Sequence, residues 1–411
     1  VIAAFLLPFP LRGYPAPYLW VYYRLLSAIG ERMLFIASED YTRDPQHWAE
    51  QNRWELQPGN AQRLEYRVPG HAQIGAHEYR FLGEAVFAAL LAESGGNPIA
   101  AFRRLLSERV ACLDAAFADI LAQPSARNLE AILTWCNCPS LEAAAAARGI
   151  PVVHLEIGPL RWPHYRPTAY FDFSGVNGNT EAERRYRAAG FRAEGFDIAA
   201  LRRFFHPEAA DAAPPPQYGL GVALQVEDDS NLLAFGHGFD NQSMLVYAHL
   251  HQAADGVLVR SHPGSLFALK PGWYAVDDSP DSVAFICRCE KLLTINSSVG
   301  LEALLLDTPV EVLGDCAHRF IAEAADAHER AARLVFYLFA YLVPMPLIFD
   351  AGYLRFRLSQ PTEAAIVVRH LDAYLGGDTW RRGLDGTAEA VIERALGGRG
   401  VFLGDVSAAW P

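Results

Sequence analysis

The sequence predicts an α/β protein of two Rossmann-like halves, and three observations lead there. Its 411 residues exceed what one ordinary hydrophobic core holds, so two or three domains are expected. Short apolar runs alternate with longer helical patterns, which is the rhythm of parallel β/α units. Near the middle a proline-rich stretch interrupts that rhythm before it resumes.

In order, "IAAFLLPF" reads as a strand, Tyr18 to Ile29 as a helix and "RMLFIASED" as the next strand. "EAILTWCN", a helix through "SLEAAAAARG" and the strand "PVVHLEIG" continue the series. The stretch "FHPEAADAAPPPQYG", Phe205 to Gly219, contains three successive prolines, Pro214 to Pro216. These fit neither a helix interior nor a sheet, so this is the predicted linker. A second series follows, with strands "GVALQV", "DGVLVRSHP", "KLLTINS" and "PVEVLG". The predicted domains are residues 1–210 and 218–345, with helices over 350–400 packing back on the first. Two such halves make a cleft, and ligands of such sheets bind beyond the carboxyl ends of the strands.

Half of the residues are hydrophobic (51%) and a fifth are charged (20%), which marks a packed globular chain. The balance of 35 basic against 47 acidic residues, −12 in all, excludes broad nucleic-acid binding. It leaves room for a small anionic ligand in a locally positive pocket. The six cysteines include two C-x-C pairs, Cys136/Cys138 and Cys287/Cys289. They read as buried reduced thiols, the alternative being a zinc site at an unusual spacing. The apolar N-terminus is broken by prolines and has no basic segment before it, unlike a signal peptide. A start at Val1 without methionine suggests a piece of a longer, multidomain polypeptide. The uncharged run Leu334 to Phe349 is too short for a membrane span. It reads as a buried helix, or alternatively as a face resting on a membrane surface.

The candidate chemistry sits at predicted strand ends. Glu156 follows "PVVHL", with Arg161 and Arg166 close behind. Glu227, Asp228 and Asp229 follow "GVALQV", and three adjacent acids repel one another unless paired, protonated or used. Arg260, Ser261, His262 and Pro263 end the strand "GVLVRSHP". A histidine held extended before proline can donate to a phosphate oxygen and stabilise its departure. Asn296, Ser297 and Ser298 end "KLLTINSS", where a serine N-cap would open a helix whose free N–H groups favour an anion. Glu302, four residues on, shares a helical face with Ser298 and could accept bonds from ribose hydroxyls. The turn formers of "DFSGVNGN" carry no chemical signature of their own.

Taken in order, "LEIGPLRWP…YFDFSGVNGN", "LQVEDDSN", "RSHPGS" and "INSSVGLEALLLDTPVEVLG" resemble the bacterial retaining β-Kdo glycosyltransferases of capsule and lipopolysaccharide assembly. The related capsule-polysaccharide synthesis proteins share much the same motifs. The resemblance covers about Glu156 to Gly314. It implies a GT-B fold, two Rossmann-like domains facing across a cleft, with the acceptor on the N-terminal side and the donor on the C-terminal side. It also implies CMP-β-Kdo as donor and a product that keeps its anomeric configuration. By motif, Asp229 matches the nucleophile and His262 and Ser298 match the phosphate-holding positions. Glu302 matches the acid near the ribose, and Glu156 the acid of "ExGxLR". Gln225, Asn231, Arg260, Pro263, Asn296, Ser297 and Arg161 complete the expected donor site. Arg161 and Arg260 are the candidates to hold the Kdo carboxylate.

No cofactor and no metal are expected, because CMP leaves as a single phosphate ester. The alternative is that "EDD" forms a metal-binding cluster. The expected partners are the nucleotide-sugar donor and a glycan or lipid-linked glycan acceptor. The expected location is cytoplasmic, with possible attachment at the inner face of the bacterial inner membrane. Two competing functions stay open. One is an inverting CMP-sugar transferase of sialyltransferase type, and the other a non-catalytic capsule assembly module.

Overall fold

Apolar runs of three to six residues, too short for helices and hydrophobic on both faces, fold as strands covered on both sides. The computed structural model describes residues 1–11, 13–191, 198–206, 215–251, 256–270, 272–375 and 392. Its strands are β1 (Ile2–Phe5), β2 (Met33–Ala37), β3 (Glu78–Phe81), β4 (Ala131–Thr134), β5 (Val152–Ile157) and β6 (Thr168–Asp172). They continue with β7 (Leu220–Ala223), β8 (Val257–Arg260), β9 (Ala275–Val276), β10 (Leu292–Thr294), β11 (Val310–Val312) and β12 (Val343–Pro344).

One sheet has the order β12-β6-β5-β4-β1-β2-β3, the other β11-β10-β7-β8-β9. The fold class is the predicted one, α/β with two Rossmann-like sheets. In the first, β1 runs parallel to both neighbours, with Ile2 beside Met33 and Ala131, and β12 is antiparallel on β6. In the second, β7 runs parallel to β8 and β10, with Ala223 beside Arg260 and Thr294. Each first strand therefore lies between the second and fourth of its series. Connections wind away from that point in opposite directions, opening a crevice at the carboxyl ends of β1 and β4, and again of β7 and β10.

By contacts the chain groups into two compact units. One comprises Val1–Glu156, Asp172–Val176 and Phe349–Leu354; the other comprises Ile157–Phe171, Asn177–Ile348 and the chain from Arg355 onward. This grouping breaks the chain at Glu156, earlier than the linker position read from sequence, although β6 and β7 do fall on either side of that linker. The reason is aromatic packing. Phe204 and Phe205 lie 5.1 and 5.2 Å from Phe339, and Tyr374 lies edge-on to both. Arg185 adds a bond to Glu363. The helix Glu363–Leu375 groups with the second unit, and its partners Phe204, Phe205 and Arg185 lie within the segment 1–210 on which the tail was expected to pack. Residues 207–214 of the linker, and 376–391 and 393–400 of the predicted tail helices, lie outside the described residues.

The run from Leu334 is core. Residues 334–343 are fully buried, in the end of the helix Ala327–Phe336 and the turn after it, so its apolar side chains are not offered to a membrane. Among the described residues no single helix is long and apolar enough to cross one. The six thiols are unpaired, and burial pushes Cys136 and Cys289 up to about 12. In β7, Gly221 has to be glycine, because a Cβ there would stand 2.6 Å from Cys289 Sγ.

Beyond β1 the chain is pinned by a buried ion pair. Arg53 meets Glu55 at 2.6 Å with both side chains at 3% exposure or less, and donates to the carbonyls of Pro15 and Ala16. Arg53→Ala would strand a buried carboxylate. The expected loss is about 3–5 kcal/mol of unfolding free energy, measured by urea titration; a loss near zero would contradict the assignment.

Candidate active site

The crevice end of the second sheet is built from amides. Gln225 and Asn296 each lie two residues beyond paired strand ends, Ala223 and Thr294. Gln225 Nε2 donates to Asn296 Oδ1 (2.8 Å), and the Asn296 N–H donates back to Gln225 Oε1 (3.0 Å). Asn241, at the start of the helix Asn241–His251, both donates to and accepts from the Gln225 backbone (2.7 and 2.9 Å). Asn231 and Asn296 each donate a side-chain N–H to the other's carbonyl (3.0 and 2.9 Å). Gln225, Asn241 and Asn296 are buried, so these bonds fix the three loops that carry the chemistry. Asn241 was not anticipated from sequence; an asparagine opening a helix resembles any cap.

The acidic triplet divides three ways. Glu227 accepts from Ser265 Oγ, from the Leu266 and Phe267 N–H groups (3.3 and 3.1 Å) and from Asn241 Nδ2 (3.1 Å). Glu227 thereby ties its own turn to the loop after β8. Partial burial raises its pKa, but the bonds from Ser265 and the backbone outweigh burial and hold it below the ordinary range. Asp228 is half-buried. Asp229 is exposed and caps the helix Ser230–Phe235, its Oδ1 accepting from the Asn231 N–H (3.0 Å) and Ser230 Oγ (3.3 Å). Its Oδ2 receives no hydrogen bond from the described residues. The triplet does not gather as a metal cluster, since Glu227 turns into the neighbouring loop; among the described residues no group of three His, Cys, Asp or Glu could hold a metal.

His262 is exposed, and its Nδ1 accepts the Gly264 N–H at 3.0 Å, across Pro263. A neutral imidazole so bonded carries its proton on Nε2. Ser297 Oγ accepts the Val299 N–H (3.4 Å) at the start of the helix Val299–Leu305, while Ser298, at the N-cap position, makes no side-chain cap bond.

Two expectations need correcting. Arg260 is already engaged, with Nη1 2.5 Å from the buried Asp277 and 3.0 Å from the Ser279 carbonyl. Arg288 binds the same aspartate, so Arg260 is a structural cation rather than a ready carboxylate clamp. Glu302 does not project beside Ser298 toward solvent. It is 7% exposed and accepts from Ser282 Oγ at 2.7 Å. Burial pushes its pKa up, against the opposing pull of Ser282, Tyr165, Arg161 and His164. Arg161 donates to the Gly158 carbonyl (2.9 Å) and lies near Glu302. The turn formers of "GVNGN" act structurally. Asn177 and Asn179 adopt left-handed φ of 69° and 56°, and Asn177 Nδ2 reaches Ser230 Oγ at 3.5 Å. A Cβ on Gly178 would fall 2.2 Å from Phe235, so this glycine lets the loop close on the helix capped by Asp229.

Glu156 belongs to the first unit, near the end of β5, where Trp135 Nε1 donates to its Oε1 at 3.0 Å.

The carboxyl-end loops of the second sheet thus bring an open carboxylate, a histidine and a helix start to one end of that sheet. Residues 4–181 match the family described as the Glycosyltransferase 99 family N-terminal domain. The match overlaps the stretch of the motif resemblance from Glu156 to residue 181. No curated protein matches significantly. Among solved structures, the chain is similar to the β-Kdo 2,7 transferase of Thermosulfurimonas dismutans KpsC, at 17% identity and TM-score 0.39, over 56% of this chain and 82% of that one. The β-Kdo 2,4 transferase of the same KpsC gives 14% and 0.34, over 50% and 79%. Methanocaldococcus jannaschii UDP-GlcNAc 2-epimerase gives 11% and 0.29, over 82% and 92%.

The buried Glu302 makes a pH-dependent prediction. Its folded pKa is raised, so the folded state holds a proton that the unfolded chain releases as pH rises through about 4.3. Its charge therefore opposes folding above that range. Glu302→Gln should melt at or above the parent temperature at pH 7, and the advantage should vanish below about pH 4. A variant less stable at pH 7 than at pH 4, relative to the parent, would contradict this.

Proposed function

We propose that the chain is a retaining glycosyltransferase that moves Kdo from CMP-β-Kdo to a glycan or lipid-linked glycan acceptor. The reading rests on one observation. Three loops at one end of the second sheet, tied together by the Gln225–Asn296 amides and by Glu227, present Asp229, His262 and Ser297. The motif resemblance and the glycosyltransferase family match support it.

An Asp229 oxygen attacks the anomeric carbon as the bond to the CMP phosphate breaks, and CMP leaves with the bonding electrons. The helix N–H bonded to Oδ1 fixes the orientation of the carboxylate for attack. The Nε2–H of His262 and the N–H groups at Ser297 to Val299 neutralise the departing phosphate. The acceptor hydroxyl then attacks the adduct, passes its proton to Glu156 and frees Asp229. Two inversions give net retention. Within this reading the enzyme works on surface polysaccharide at the cytoplasmic face of the inner membrane, alone or as a module of a larger protein.

Incubating the protein with CMP-Kdo and no acceptor should leave a Kdo adduct that peptide mass spectrometry places on Asp229. Asp229→Asn should lose the adduct and about 10³-fold or more in transfer rate. Loss of activity with no adduct in the parent would favour the inverting route, and no CMP release at all would favour a non-catalytic module. His262→Ala should retain adduct formation at a rate reduced about 10²-fold, followed by CMP release; an unchanged rate would remove His262 from the phosphate site.

A further inference from the structure

The geometry points to Trp135 as the positioning residue that holds Glu156 oriented for accepting the acceptor's proton, an inference that rests on the reading above. Trp135 is the first residue after β4, at the crevice of the first sheet where strand order reverses, and Glu156 lies on the adjacent strand β5. The indole Nε1–H meets Glu156 Oε1 at 3.0 Å.

The indole has almost no freedom. It is 4% exposed, stacked on Phe349 (5.6 Å, 18°) and edge-on to Trp20 (5.2 Å, 85°). Trp20 also meets Phe349 edge-on at 6.4 Å, and the Arg24 guanidinium lies 5.3 Å over the Phe349 ring. Trp20 and Arg24 are one turn apart on the helix Leu19–Ala28, so one helix face clamps the ring on which Trp135 rests.

Indole donates and cannot accept. Its bond to a carboxylate is charge-assisted and weakens when the carboxylate takes a proton. The resting bond therefore favours Glu156 as a base, and the aromatic clamp fixes the direction from which the bond is made. Cys136, the neighbouring titratable group, stays a neutral thiol because burial pushes it up to about 12, so it adds no opposing charge.

Trp135→Phe keeps a ring and removes the N–H. Because Glu156 acts only in the second half-reaction, kcat for transfer should fall about tenfold, while adduct formation and KM for the donor stay within about twofold. The double variant with Glu156→Gln should be no slower than Glu156→Gln alone. In the ¹H–¹⁵N spectrum, one of the eight indole signals should move on Glu156→Gln. Parent-like transfer by Trp135→Phe, or equal loss in both half-reactions, would reduce Trp135 to packing and overturn the inference. If Trp135→Phe does not fold, the indole spectrum decides, and no moving signal overturns it. Normal transfer by Glu156→Gln would instead overturn the role given to Glu156 itself.

Discussion

The second unit's chemistry depends on satisfying buried amides where β7 and β10 end. Gln225 spends its side-chain N–H and its carbonyl on Asn296, and its backbone on Asn241. Each of these groups would cost about 1–3 kcal/mol if buried without a partner, so no member can rotate away cheaply. Asn231 extends the lattice into the helix that Asp229 caps. The exposed nucleophile candidate thus stands on a rigid base, although its own side chain meets solvent. Of these four amides, Asn231 alone leaves its side-chain oxygen buried with no donor among the described residues.

The same economy explains three consecutive acids. Repulsion among them is relieved by sending each charge to different donors. Glu227 collects an OH and N–H groups across a neighbouring loop, and Asp229 collects those of its own helix start. Neither bond set involves a cation. Glu227 then does indirectly what sequence assigned to chance, because the loop it holds is the one bearing His262.

The strands that were legible in the sequence are those whose apolar runs stand alone, β1, β2, β4, β5, β7, β8, β10 and β11. Glu78–Phe81 was not, because a half-exposed edge strand reading "EYRF" has neither alternation nor an apolar run. Thr168–Asp172 hid between turn formers and prolines. In β12, Pro344 occupies a place normally closed to it because this two-residue strand pairs antiparallel at the sheet's end. Residue types at strand ends gave the positions of Asp229, His262 and Gln225. They could not give partners, and so Arg260 looked available when Asp277, seventeen residues on, had already claimed it. Long-range pairing is what a single sequence conceals.

Arg260's engagement changes the electrostatic character of the candidate phosphate site. Asp277 is fully buried between Arg260 and Arg288, so those two cations largely answer one internal charge and one exposed neighbour, Asp278. What remains for a leaving phosphate is an imidazole N–H and the N–H groups of a helix start. Such donors strengthen as negative charge develops on the bridging oxygen, yet they bind a free dianion less tightly than a guanidinium fork does. Under the proposed mechanism, in which CMP is ejected before the glycan attacks, that difference is an advantage. Strong cationic contact would lower the energy of the bound product as much as that of the transition state, and uniform binding of that kind does not speed turnover. In an acidic chain of net charge −12, a site of neutral donors also adds little local positive field to hold the spent nucleotide back.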